Sequence, residues 1–153
     1  MQITHVPQPN IIPICRKNYR LEADYEYQWK EDGAIFRLII PKGFTSDGAS
    51  VPRALWTLTG LRPDGLIRAA SWLHDFLYRY RGECPHGSYQ VLYRDGTWVR
   101  CQKTFTKKEA DCLFLDVMLK SRISKRQAFM AYYAVKVFGW YSWLKNNKPG
   151  GSK

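Results

Sequence analysis

The chain has 153 residues, of which 45% are hydrophobic and 15% aromatic, so it has enough apolar material for a core and is not a disordered polypeptide. Its formal net charge of +11 favours anionic partners, either nucleic acid or a phospholipid surface, although such charge most commonly marks a solvated surface. No apolar run reaches the roughly 20 residues that span a membrane, and no secretory signal opens the chain, so we expect cytoplasmic synthesis and no transmembrane segment.

The N-terminal part is predicted to be an extended arm. Residues 1–18 contain several prolines, among them Pro13, and indicate little regular structure. Residues 19–145 are predicted to form a single globular domain. Within it, residues 19–41 predict a β-hairpin, because alternating and apolar residues flank the turn dipeptide Asp32-Gly33.

Residues 42–60 are predicted to form a loop and then a short helix. The loop around Asp47 and Gly48 contains small residues and one carboxylate, and glycine allows backbone carbonyls to turn toward a bound ion. Calcium binds such mixtures of carboxylate and carbonyl oxygens. An ordinary turn before a helix, with Ser50 as its cap, explains the same residues, and the two interpretations are compatible.

Residues 65–81 predict a helix that carries the adjacent pair His74 and Asp75 within an apolar run. Imidazole exchanges protons near neutral pH, and a buried carboxylate needs a cation or a hydrogen-bonding partner. Tyr78 lies one helical turn after His74 on the same face. The simpler alternative is a helix end at which both polar groups face water.

Residues 87–102 predict a second β-hairpin around the turn Asp95-Gly96. Cys84 and Cys101 flank this hairpin and could form a disulfide, but without a signal peptide reduced thiols are at least equally expected. The four cysteines form no C-x-x-C pair, and the sequence has no helix-turn-helix or phosphate-loop signature. A structural zinc site is therefore not expected, and no motif supports nucleic-acid binding.

Residues 106–121 predict a helix that begins at a capping box from Thr106 to Glu109. Asp111 lies near the apolar face of this helix and therefore requires a partner. A histidine on a packed antiparallel helix would be such a partner. Residues 124–145 predict a last helix, and residues 146–153 predict a flexible tail.

Three stretches together resemble a family of small proteins of unknown function that are common in tailed-phage and prophage genomes. These stretches are residues 44–53, 74–78 and 109–114. The resemblance implies a viral or prophage origin. We therefore expect synthesis in the bacterial host cytoplasm, with carriage on the virion as one possible destination.

The order of the parts over residues 44–139 is also similar to that in secreted phospholipases of the A-two class, especially the small prokaryotic enzymes. His74-Asp75-Phe76-Leu77-Tyr78 matches their His-Asp-x-x-Tyr motif, and Asp111-Cys112-Leu113-Phe114 resembles their second-helix Asp-x-x-Phe. Their cysteine pairs are not reproduced, and the first hairpin has no counterpart. The resemblance implies a mainly α, α+β fold, with a phospholipase-like antiparallel helix pair, two β-hairpins and an extended N-terminal arm.

The same resemblance implies a role for each matched residue. His74 would be the general base, Asp111 would orient its ring, and Tyr78 would support the site by hydrogen bonding. Two carboxylates and one backbone carbonyl would hold Ca²⁺, contributed by Asp47, Asp75 and Gly48.

These observations predict a phage-encoded, calcium-dependent hydrolase of lipids or other esters, in which a His-Asp dyad activates water at an anionic phospholipid surface. The alternative is a catalytically silent virion or tail-associated protein that keeps its fold as a scaffold for docking on other phage structural proteins. A third hypothesis, nucleic-acid binding through the basic surface, rests on net charge alone.

Overall fold

The structure is a computed structural model that describes residues 6–15, 18–46, 60 and 67–145. These residues form two antiparallel sheets, with strand orders β1-β2-β5 and β3-β4-β6-β7, and four helices. The strands are β1 (Ile11–Cys15), β2 (Asn18–Leu21), β3 (Tyr25–Glu31), β4 (Ala34–Ile40), β5 (Thr45–Ser46), β6 (Tyr89–Leu92) and β7 (Trp98–Arg100), and the helices are α1 (Arg68–Arg79), α2 (Lys107–Lys120), α3 (Lys125–Phe138) and α4 (Trp140–Lys145).

The predicted mainly α, phospholipase-like fold is wrong. Of the described residues, 39% are helical and 28% lie in strands, so the fold is mixed α/β with substantial sheet content. One source of the error is the N-terminal segment, in which β1 pairs antiparallel with β2 instead of forming an irregular arm. Pro13 lies in this edge strand, next to an irregularity in its register. Edge strands and bulges tolerate proline because one side of the strand has no partner.

The second sheet is built from two hairpins. Asp32 and Gly33 both have positive φ, at 50° and 82°, which is the turn geometry that matches the twist of a two-residue hairpin between β3 and β4. β6 and β7 form the other hairpin, and β4 pairs with β6, from Ile35 opposite Leu92 to Leu38 opposite Tyr89. This pairing joins residues more than 50 positions apart, so the local sequence of neither hairpin predicts it.

Residues 6–10 attach the sheets to the start of α1. The Tyr25 hydroxyl donates to the carbonyl of Pro7 at 2.7 Å, and the Gln8 side chain accepts from the backbone N–H of Ala69 at 2.9 Å. The Arg68 guanidinium donates to the carbonyl of Pro9 at 3.2 Å. The first turn of a helix has N–H groups without partners in the helix itself, and Gln8 satisfies one of them.

A close backbone contact sets α2 beside α1. Gly82 has φ +79° and follows the end of α1, where its N–H bonds the carbonyl of Leu77 at 2.8 Å. The N–H of Phe105 bonds the carbonyl of Gly82 at 2.9 Å, and a Cβ at Gly82 would collide with the backbone of Phe105. α2 therefore begins where α1 ends and runs back along it.

The C-terminal residues form two helices where the sequence predicted one. α3 ends at Phe138 and α4 begins at Trp140, with Gly139 between them. A Cβ at Gly139 would collide with the carbonyl of Val135 and the Tyr78 hydroxyl, so the chain at this point packs directly on α1. Trp143 from α4 meets the ring of Tyr78 edge-on, at 5.1 Å between centroids.

Some of the predicted elements lie in whole or in part outside the described residues. The loop from residue 47 and the short helix before residue 60 lie outside the described residues, as does the predicted tail at 146–153. None of the helices in the described ranges combines the length and the hydropathy needed to cross a membrane.

Candidate functional site

A buried histidine lies at the centre of a polar cluster between α1 and α2. The residues of α1 from Ala69 to Tyr78 are all buried, and His74 is only 1% exposed. Its ring packs against Tyr78 and Phe114, at centroid distances of 3.9 and 4.7 Å. Because polar atoms in such surroundings are costly when unpaired, the contacts of the two ring nitrogens decide what this residue can do.

Asp111 binds one of those nitrogens. Its Oδ1 lies 2.9 Å from Nε2 of His74 and accepts a hydrogen bond from the Tyr78 hydroxyl at 2.7 Å. Its Oδ2 accepts a hydrogen bond from Nζ of Lys107 at 2.6 Å. The structure thus places His74, Tyr78 and Asp111 in the contact that the sequence predicted, while their catalytic roles stay predictions.

Asp111 is ionised in this setting. Burial by itself would raise the pKa of its carboxyl, but the hydrogen bonds from His74, Lys107 and Tyr78 outweigh burial and hold that pKa below its ordinary value. Burial, together with the hydrogen bond to Asp111, raises the pKa of Tyr78 well above the usual range, so the phenol stays a donor. The cluster therefore contains a fixed carboxylate that only accepts hydrogen bonds.

This carboxylate sets the tautomer of His74. Since Asp111 can only accept, Nε2 of neutral His74 must carry the proton, and Nδ1 is left with a free lone pair. Nδ1 is buried and has no hydrogen-bond partner among the described residues. A buried acceptor without a partner costs about 1–3 kcal/mol, so it calls for a water molecule or a substrate atom at that position.

Ser71 lies one helical turn before His74 in α1. It precedes His74 by three residues, a spacing that places two side chains on the same helix face, about 5–6 Å apart at Cβ. Its hydroxyl is also buried without a hydrogen-bond partner in the described part of the chain. Two buried polar atoms without partners on one helix face call for a polar partner, and sequence reasoning did not identify Ser71.

Asp75 contacts Ser46, whereas the adjacent His74 contacts Asp111. Asp75 is 7% exposed, and one carboxylate oxygen accepts a hydrogen bond from the hydroxyl of Ser46, which ends β5. The predicted ligands Asp47 and Gly48 follow Ser46 directly in the chain but lie outside the described residues. Within the described ranges, no group of three or more His, Cys, Asp or Glu side chains is arranged to hold a metal ion.

Lys107 is the second member of the cluster that sequence reasoning missed. Besides Asp111, its ammonium donates to the backbone carbonyls of Val135 and Lys136, at 3.0 and 3.3 Å. It is 5% exposed and therefore connects the start of α2 to the last turn of α3 from inside the protein. The spacing of four residues between Lys107 and Asp111 was the available signal, since such pairs meet on a helix.

The cysteines beside the second hairpin belong to a separate cavity of about 650 Å³, lined among others by Cys84, Cys101, Tyr89 and Arg100. Cys84 and Cys101 are free thiols, which is the reduced alternative that the sequence left open. Burial raises the pKa of the Cys84 thiol to about 12, so it stays protonated at neutral pH. No thiolate nucleophile is therefore expected from Cys84.

Comparison with known proteins identifies the family. The model of a family described as "Protein of unknown function (DUF1353)" matches residues 19–135, which is more than half of the chain and includes the whole His74–Asp111 cluster. The chain belongs to this family.

The chain is also similar to "Uncharacterized protein y4jT" of Sinorhizobium fredii, with 26% identity over 78 residues. That alignment covers 51% of this chain and 22% of the relative, so the chain matches only about a fifth of the relative's length. No solved structure gives a significant match.

The lowered pKa of Asp111 predicts a specific acid sensitivity. Because the folded-state pKa lies below that of the unfolded chain, the ionised group stabilises the fold above pH ~4, and this contribution is lost as pH falls through the folded-state pKa. We expect urea unfolding from pH 7 to pH 2 to show a steeper loss of stability for wild type than for Asp111→Asn. Asp116→Asn, which changes an exposed carboxylate on the same helix, should follow wild type. Parallel curves for wild type and Asp111→Asn would contradict the assignment.

Proposed function

We propose that this protein is a calcium-dependent hydrolase of lipids or other esters, in which His74 activates a water molecule. The observation that carries the proposal is the buried Nδ1 of His74, an unpaired acceptor whose tautomer Asp111 determines. An imidazole held in this way is the common form of a general base near neutral pH. The proposal rests on this site and not on a phospholipase-like fold.

Each side chain of the cluster has its own role in the proposed hydrolysis. A water molecule bound to Nδ1 of His74, and held by the hydroxyl of Ser71, gives up its proton as its oxygen attacks the ester carbonyl carbon. The imidazolium that forms is stabilised by Asp111, which also accepts hydrogen bonds from Tyr78 at Oδ1 and from Lys107 at Oδ2. When the C–O bond of the ester breaks, His74 returns the proton to the leaving alkoxide.

The described part of the proposed calcium site has donors that suit the ion. The Asp75 carboxylate and the Ser46 hydroxyl are oxygen donors in contact with each other, and Asp47 and Gly48 continue the chain from Ser46. In the proposal, Asp75 and Asp47 would hold Ca²⁺ through carboxylates and Gly48 would hold it through its carbonyl. When bound, the ion would supply a Lewis acid for the ester carbonyl oxygen.

A second candidate function is that of a virion or tail-associated scaffold with no catalysis. The observation in its favour is Lys107, which bonds Asp111 and two carbonyls of α3 and so makes the polar cluster a link between helices. Both candidates include a phage or prophage origin with synthesis in the host cytoplasm, as the resemblance of three stretches to phage-associated proteins implies.

The test of the proposal is release of fatty acid from mixed phosphatidylglycerol and phosphatidylcholine vesicles, with calcium or with a chelator. We expect calcium-dependent release by wild type and its loss in Asp75→Asn. Calcium should also raise the melting temperature of wild type but not of Asp75→Asn, whereas Asp116→Asn, an exposed carboxylate change, should keep both effects. A folded wild-type protein that releases no fatty acid with calcium present would overturn the proposal in favour of the scaffold.

A further inference from the structure

An exposed apolar surface covers the outer side of the two C-terminal helices. Phe129, Tyr133 and Val137 are spaced by four residues and therefore share one face of α3. The α3–α4 surface consists of seven side chains that are between 41% and 76% exposed: Phe129, Tyr133, Val137, Phe138, Trp140, Tyr141 and Leu144. A contiguous surface of this kind marks an interaction site, because soluble proteins normally expose such side chains singly.

The charged side chains of α3 and α4 all have one sign. The sequence from residue 117 to its end contains no Asp or Glu, while α3 and α4 carry the exposed cations Lys125, Arg126, Lys136 and Lys145. The ammonium of Lys136 lies 5.8 Å from the ring of Tyr133. That of Lys145 lies 5.9 Å from the ring of Tyr141. Lysines beside exposed aromatic rings are characteristic of helices that lie in the headgroup layer of a membrane.

We propose that the α3–α4 surface binds an anionic phospholipid layer, with its aromatic and aliphatic side chains among the headgroups and its lysines on lipid phosphates. Charge complementarity selects this occupant. A second copy of the chain would bring Lys136 and Lys145 against like charges, with no carboxylate on either surface to pair with them. A lipid layer needs no such pairing within the protein and supplies negative charge over the whole surface.

The surface is also joined to the proposed catalytic cluster. The ring of Trp140 lies 5.1 Å from the ammonium of Lys107, which binds Asp111. The same ammonium holds the carbonyls of Val135 and Lys136 beneath the surface. The inference rests on the proposed hydrolysis in so far as it names a lipid layer as the place where the ester substrate is presented.

Binding is tested without hydrolysis by using vesicles of ether-linked phosphatidylglycerol, which contain no ester to cleave. We expect wild type to sediment with these vesicles, not with ether-linked phosphatidylcholine, and to be released by high salt. Lys136→Gln/Lys145→Gln should weaken binding by about tenfold or more. Phe138→Ser/Tyr141→Ser should weaken it comparably, while Tyr93→Ser, which changes a tyrosine that is 55% exposed in the second hairpin, should bind as wild type does.

Three outcomes would overturn the inference: failure of folded wild type to bind the anionic vesicles, equal binding by the α3–α4 variants, or a wild-type dimer in sedimentation that the α3–α4 variants abolish. The proposed function fails separately. Vesicle binding without fatty acid release from ester lipids would leave the surface assignment standing and remove the hydrolase. Unchanged release of fatty acid by the α3–α4 variants would leave the hydrolase standing and remove the surface assignment.

Discussion

Replacing His74 with glutamine should lower the release of fatty acid from anionic phospholipid vesicles by about 10²–10⁴-fold, the usual contribution of a general base. Glutamine keeps an N–H that can donate to Asp111 in place of Nε2, but it has no basic nitrogen in place of Nδ1. The substitution therefore removes the group that accepts the proton but keeps a donor for the hydrogen bond to Asp111. The measurement is the initial rate at saturating calcium, with the melting temperature recorded for each variant.

His86 is the matched control for this experiment. It is a histidine outside the cluster, exposed on the loop before β6, where its ring contacts the guanidinium of Arg100 at 3.1 Å. His86→Gln should keep the wild-type rate. Asp111→Asn should lose activity like His74→Gln, because an amide at this position can favour the wrong tautomer of the histidine. A folded His74→Gln protein with the wild-type rate would show that Nδ1 is not the base.

The contact between His74 and Asp111 was predictable because short-range signals set both helices. The capping box at Thr106 fixes the start of α2, with the N–H of Glu109 bonding the Thr106 hydroxyl at 3.2 Å, and the apolar spacing then turns Asp111 inward. A buried carboxylate and a buried histidine on neighbouring helices each give the other the hydrogen-bonding partner that it needs. Local sequence signals were therefore sufficient to predict the contact between His74 and Asp111.

The sheet architecture was not predictable in the same way. Pairing of β4 with β6 depends on contacts between distant parts of the chain, and Pro13 made an edge strand resemble an irregular arm. The last helix divides at Gly139, where a Cβ would collide with the Tyr78 hydroxyl, and the periodicity of that helix gives no sign of this close packing. These errors explain why a resemblance over the helices suggested a mainly α fold.

Lys107→Met should destabilise the protein by about 3–5 kcal/mol, because it leaves the buried charge of Asp111 without its cation. α2 provides an internal comparison, since Lys120 and Asp116 form another ion pair four residues apart, at 2.8 Å. Its side chains are 46% and 48% exposed, against 5% and 3% for Lys107 and Asp111. Lys120→Met should therefore cost only about 0–1 kcal/mol. The measurement is the free energy of unfolding in urea, and equal losses for the two variants would contradict the buried ion pair.

The double variant Lys107→Met/Asp111→Asn separates the structural role of the cluster from its proposed chemistry. The amide oxygen of asparagine can still accept from Tyr78, and no buried charge remains to be paired. Much of the stability lost in Lys107→Met should therefore return. If the cluster serves only as a scaffold, the double variant stays folded and docks on phage structural proteins as wild type does. If His74 is a general base, this variant is folded and inactive, because the carboxylate that sets the tautomer and stabilises the imidazolium is gone.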